Sequence, residues 1–129
     1  MESGNHITDY RDLDVWKESM DLAVDIYRAT RGFPRDEMFG MTSQLRRAAS
    51  SVPANIAEGF GREQTGGFVQ FLRVAQGSLK ELETHLLLSQ RVGLMETQTA
   101  NAFGERCGRL GKMLRGLIRS LQAKDGRHK

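Results

Sequence analysis

Gln44, Arg47, Ser51, Asn55, Glu58 and Arg62 recur at steps of three or four residues. On a helix that spacing stacks them in a single stripe, provided the helix continues through Pro53. Arg47 and Arg62 supply positive charge, and Ser51 and Asn55 supply neutral donors and acceptors. Glu58 is placed to pair with Arg62 at i, i+4 and with Asn55 at i, i+3. Such a mix suits a phosphate backbone or an acidic partner helix. The same stripe also fits a solvated face with a modest ion pair, or a subunit junction where Asn55 and Glu58 set register.

A second set of cations lies near the C-terminus. Lys112, Arg115 and Arg119 fall nearly opposite an apolar face, with Arg106 and Arg109 to one side. Residues 105–129 hold eight Lys/Arg against two Asp/Glu, and residues 1–40 hold five against nine. An acidic start and a basic end read either as a nucleic-acid tail or as two adjacent antiparallel helices that complement each other.

Other chemistry is missing. There is no His-Glu-x-x-His, no Glu-x-x-His, no Cys-x-x-Cys and no Gly-x-x-x-x-Gly-Lys-Ser/Thr in the sequence. The three histidines are scattered, with His85 nearest Glu81 and Glu83. A hydrolase or metal site using Glu58 and His85 is the weakest reading, and no catalytic residue, metal or cofactor is expected. Cys107 sits on an apolar face with no histidine near it in sequence and reads as a buried structural thiol.

The elements that position these residues are helical. At 129 residues the chain is one domain. Its 39% hydrophobic and 27% charged composition is ordinary for a soluble globular protein. One cysteine, no apolar run long enough to span a bilayer and no secretory signal point to the cytoplasm. Periodicity predicts four helices, over about Asp12–Arg31, Asp36–Phe60, Gly67–Arg91 and Glu96–Ala123. They are expected to form an up-down antiparallel bundle over 12–123, with a flexible arm over 1–11 and a basic tail over 124–129.

On the first helix Leu13, Trp16, Met20, Ala23, Val24 and Tyr27 share one face, and Val15, Leu22 and Ile26 form a second stripe beside it. An apolar sector that wide implies burial on two sides, the second against another subunit. Pro53 predicts a kink or break in the second helix. Gly104, Gly108, Gly111 and Gly116 on the fourth imply either close helix approach or a bend.

These segments carry a resemblance. Arg11-Asp12-Leu13-Asp14-Val15-Trp16-Lys17, Phe39-Gly40-Met41-Thr42-Ser43-Gln44-Leu45-Arg46-Arg47-Ala48-Ala49 and the stretch from Phe71 to Thr84 are similar to bacterial four-helix bundle proteins encoded by intervening sequences of the large ribosomal RNA gene. The longest match is Ser51-Val52-Pro53-Ala54-Asn55-Ile56-Ala57-Glu58-Gly59-Phe60-Gly61-Arg62. The resemblance spans roughly residues 10–122 and implies an all-α antiparallel bundle assembled as a ring-like homo-oligomer, a pentamer. It implies no known reaction. By analogy with related basic bundles that accompany reverse transcriptases, it implies RNA or DNA binding, with a partner-protein scaffold as the alternative. Carried over to this sequence, the recurrent positions are Arg46, Arg47, Asn55, Glu58, Gly59 and Arg62. With Lys112, Arg115 and Arg119, the polar ones complete the expected binding set.

Overall fold

The computed structural model describes residues 7–127. Four α-helices follow one another: α1 (Asp14–Thr30), α2 (Met41–Phe60), α3 (Thr65–Arg91) and α4 (Thr97–Arg127), with short 3-10 turns at Tyr10–Asp12 and Arg35–Glu37. Each helix packs against its neighbour in sequence, and α4 closes the bundle against α1. The result is an antiparallel four-helix bundle with no strand among the described residues. No helix among them is long and apolar enough to cross a membrane.

Local chemistry sets the helix ends. Asp9 accepts from the backbone N–H of Arg11 and opens the first 3-10 turn. Its carboxyl is held down at about 2, chiefly by the side-chain hydrogen bond from Arg11. The second helix starts later than Asp36, because residues 35–37 form a separate turn and Gly40 takes the N-cap position. Glu37 still serves it: its Oε1 accepts the N–H of Met41 at 3.0 Å, satisfying one of the orphan donors of the first turn. Glu63, with φ 63, turns the chain between α2 and α3, and Gly93, with φ 83, follows α3.

Pro53 is buried and does not divide α2, which runs unbroken from Met41 to Phe60. The fourth helix runs past the expected Ala123 to Arg127, so residues 124–127 of the expected tail are helical. Within the expected arm, Ile7 and Tyr10 pack on the core and Tyr10 meets Trp16 edge to face. Residues 1–6 of the arm and 128–129 of the tail lie outside the described residues.

The core runs along all four helices through Ile26, Leu45, Ile56, Leu72, Leu82 and Leu114, each buried. The wide apolar sector of α1 splits. Val15, Leu22, Ala23 and Ile26 enter the core, Trp16 and Met20 are half-buried, and Val24 and Tyr27 are 39% and 43% exposed. Ser19 and Thr30 are buried beside the core residues, and their hydroxyls donate back to the carbonyls of Trp16 and Ile26. That satisfaction is what lets two polar side chains sit inside.

Gly59 shows how tightly α2 meets α3. A Cβ there would lie 2.6 Å from Phe71 Cβ and 3.2 Å from the Phe68 carbonyl, so only glycine fits. The glycines of α4 differ. At Gly104, Gly108 and Gly116 an added Cβ would meet nothing within 4 Å. They neither permit a close approach within this chain nor interrupt α4.

Candidate nucleic-acid interface

The polar stripe of α2 lies along the seam with α3. Arg47 donates to Glu81 Oε2 at 3.0 Å and to Gln44 Oε1 at 2.6 Å. The hydroxyls of Ser51 and Ser78 share a 2.7 Å hydrogen bond between the helices. Asn55 donates to the carbonyl and the hydroxyl of Ser51, not to Glu58. Arg62 pairs with Glu58 at 3.1 Å, as its spacing predicts, and stacks over the Phe71 ring at 4.8 Å. These exposed ion pairs each contribute well under about 1 kcal/mol, but they occupy both guanidinium groups.

Arg46 points the other way. Its Nε donates to Thr30 Oγ1 at 2.8 Å, one terminal nitrogen reaches the Tyr27 carbonyl at 3.2 Å, and its guanidinium lies 4.7 Å from the Tyr27 ring centre. It therefore caps the C-terminal end of α1, where free carbonyls and the helix dipole favour a cation.

The cations of α4 fall into two groups. Arg106 meets Asp25 at 2.8 Å and Arg109 approaches Glu18 at 3.9 Å, so the acidic first helix and the basic last helix do complement each other. Lys112, Arg115 and Arg119 are exposed and make no ion pair or side-chain hydrogen bond among the described residues. Lys112 and Arg115 border an open cleft between α3 and α4, with Lys80 on its other wall.

The eight expected binding residues thus form no single site. Arg47, Asn55, Glu58 and Arg62 lie along the α2/α3 seam, Arg46 lies against α1, and the α4 group lies across the bundle. Lys80, on the other wall of the α3/α4 cleft, is not among the eight. The signal available for it was its place one turn from Gly77, on the side of α3 that adjoins α4.

Cys107 is fully buried, and burial pushes its thiol up to about 12, with the Glu83 charge adding to the effect. It is an inert core residue at neutral pH. His85 lies 3.5 Å from Glu81 through Nε2, whereas Glu58 pairs with Arg62. Among the described residues no group of three or more His, Cys, Asp or Glu side chains converges as a metal site.

The architecture defines the class: an antiparallel four-helix bundle that carries a run of cations without ion pairs among the described residues, Lys112, Arg115 and Arg119, on its last helix. The chain matches the family described as 23S rRNA-intervening sequence protein over residues 11–116, and it belongs to that family. It is also similar to the crystal structure of a protein of unknown function from the S23 ribosomal protein family of Bacteroides thetaiotaomicron VPI-5482. The identity is 24%, the match covers 81% of this chain and 97% of that one, and the TM-score is 0.72. That likeness shows the fold. Among curated proteins, none matches the chain.

Proposed function

We propose that this chain is a non-enzymatic cytoplasmic bundle that assembles as a ring-like homo-oligomer, a pentamer, and binds structured RNA or DNA through the outer face of α4. The observation that carries this reading is the contrast among its arginines and lysines. Arg46, Arg47 and Arg62 have partners within the chain, whereas Lys112, Arg115 and Arg119 are exposed with none among the described residues. Clustered, unneutralised cations attract a phosphate backbone even when the net charge is only +3. Self-association is supported by the half-exposed row of Trp16, Met20, Val24 and Tyr27 on α1.

The test is a fluorescence-anisotropy titration of a structured RNA at several salt concentrations. Binding should weaken with salt by a log–log slope of about −0.9 per phosphate contact on a duplex. The Lys112→Glu, Arg115→Glu, Arg119→Glu variant should lose about 100-fold in affinity at low salt. The Arg47→Glu, Arg62→Glu variant, shown to keep its oligomeric size, should lose far less. A flat salt response in the wild type defeats the reading.

A second reading, a protein scaffold, has its own observation. Phe39 is 97% exposed in the α1–α2 connection, and Leu88 and Val92 are exposed at the same end of the bundle. Recovery of one stoichiometric partner protein after nuclease treatment, together with no RNA binding at low salt, would favour it.

A further inference from the structure

The cleft between α3 and α4 has a shape that the cations alone do not explain. It encloses about 500 Å³, opens to solvent, and is bordered by Lys80 on one side and by Lys112 and Arg115 on the other. Its walls are cut back at Gly77, Gly108 and Gly111. A Cβ at Gly77 or Gly108 would meet nothing within 4 Å, and one at Gly111 would meet only Leu79 Cδ2 at 3.7 Å. None of the three is required by packing within the chain, although each lowers helix stability by about 1 kcal/mol relative to alanine.

We infer that this cleft seats the sugar–phosphate backbone of a single nucleic-acid strand, read without regard to base sequence. This rests on the reading that α4 binds nucleic acid, and it assigns the form of the ligand. Neighbouring helix axes lie about 8–10 Å apart, so a duplex can ride over the rims of such a cleft but cannot enter it. A single strand can. The three cations provide charge complementarity along the cleft, with Lys112 and Arg115 free of carboxylate partners and Lys80, 75% exposed, held only by an i, i+3 pair with Glu83.

No aromatic side chain lines the cleft, so the base stacking that single-strand binders ordinarily use is absent, and recognition falls to the phosphates. The next cavity up the same seam bounds the footprint. It is bordered by Glu83, Glu105 and Leu87, and its two carboxylates repel a polyanion.

The test fills the cleft without altering charge. Gly77→Leu, Gly108→Leu places two side chains in open space on helices that alanine or leucine favours over glycine, so the fold should be kept or strengthened. Labelled single strands of about 12 nucleotides, one homopolymeric and one mixed, are titrated beside a duplex of the mixed sequence. The filled variant should bind both single strands about tenfold more weakly and the duplex as the wild type does. Lys80→Gln is the second variant. It should weaken single-strand binding about threefold and leave the duplex unaffected.

Single-strand affinity that survives both variants overturns the cleft assignment, while loss of binding in the α4 charge-reversal variant would leave the broader reading standing. A wild type that shows no salt-dependent binding to any of these probes overturns both. A mixed strand bound much more tightly than the homopolymer would overturn the claim that bases are not read.

Discussion

Arg47 and Arg62 on one side of the bundle, and Lys112 and Arg115 on another, are all exposed cations at helical spacing, yet they stand in different relations to the chain. Along the α2/α3 seam every charge has an acidic partner within reach: Glu81 for Arg47 and Glu58 for Arg62. Beside the α3/α4 cleft, Lys112 and Arg115 have none among the described residues. The glycines divide the same way. Gly59 is demanded by the approach of Phe71, whereas Gly108 faces open space. One seam is closed by its own residues; the other has room and charge left over. Periodic charge therefore marks a candidate surface only after the charges spent inside the molecule have been subtracted.

That contrast can be broken by substitution. The largest effect on stability should come from Gly59→Ala. Its Cβ has no room against Phe71, and the overpacking should cost about 2 kcal/mol in urea unfolding even after the gain in helix propensity. An alanine tolerated there would mean that the α2/α3 seam is looser than described.

Arg46→Ala comes next, at about 1.5 kcal/mol, because it removes charged hydrogen bonds to Thr30 and the Tyr27 carbonyl at the end of α1. Gly108→Ala should carry the opposite sign and stabilise by about 0.5–1 kcal/mol, since the new methyl group meets nothing and glycine's helix penalty is removed. A destabilising result would show that α4 needs that glycine within the chain. Arg47→Ala should be the smallest, well under about 1 kcal/mol, as for an exposed ion pair.

Cys107 supplies a pH-dependent check on the bundle as a whole. Its thiol titrates near the ordinary value of 9.0 when unfolded and at about 12 when folded. The unfolded state thus releases this proton first, and the contribution of Cys107 to stability is fully present below pH 9.0 and declines from there toward pH 12. Alkylation of the native protein at neutral pH should be slow, and should become fast on unfolding.

The four helices were legible because leucine, isoleucine and alanine recur at helical steps with Gly and Pro between the runs. What the α1 pattern hid was which of its two apolar rows faces inward. The answer turns on Ser19 and Thr30, polar residues that enter the core by bonding back to their own helix. Hydrophobic spacing has no means of marking them. The α2 stripe was legible as a stripe, and Arg62–Glu58 as a pair, but the fate of Arg47 and Ser51 depends on Glu81 and Ser78, which lie on another helix. The start of α2 was missed because Asp36 and Glu37 carry the charge expected of a helix N-terminus while forming a turn before it. Pro53 left a kink and a break both open, and α2 continues through it without a break.

The closure of α4 against α1 bears on how the chain folds. Contacts between successive helices span short lengths of chain, so the fold is low in contact order and belongs among rapid folders. Only the α1–α4 seam joins segments far apart in sequence. It is the thinnest of the four, and Arg106–Asp25 and Arg109–Glu18 bridge it. Bringing those segments together carries the largest loop-closure entropy for the smallest return in buried contact. The α1–α4 seam, rather than either helix alone, is thus expected to close last and to open first.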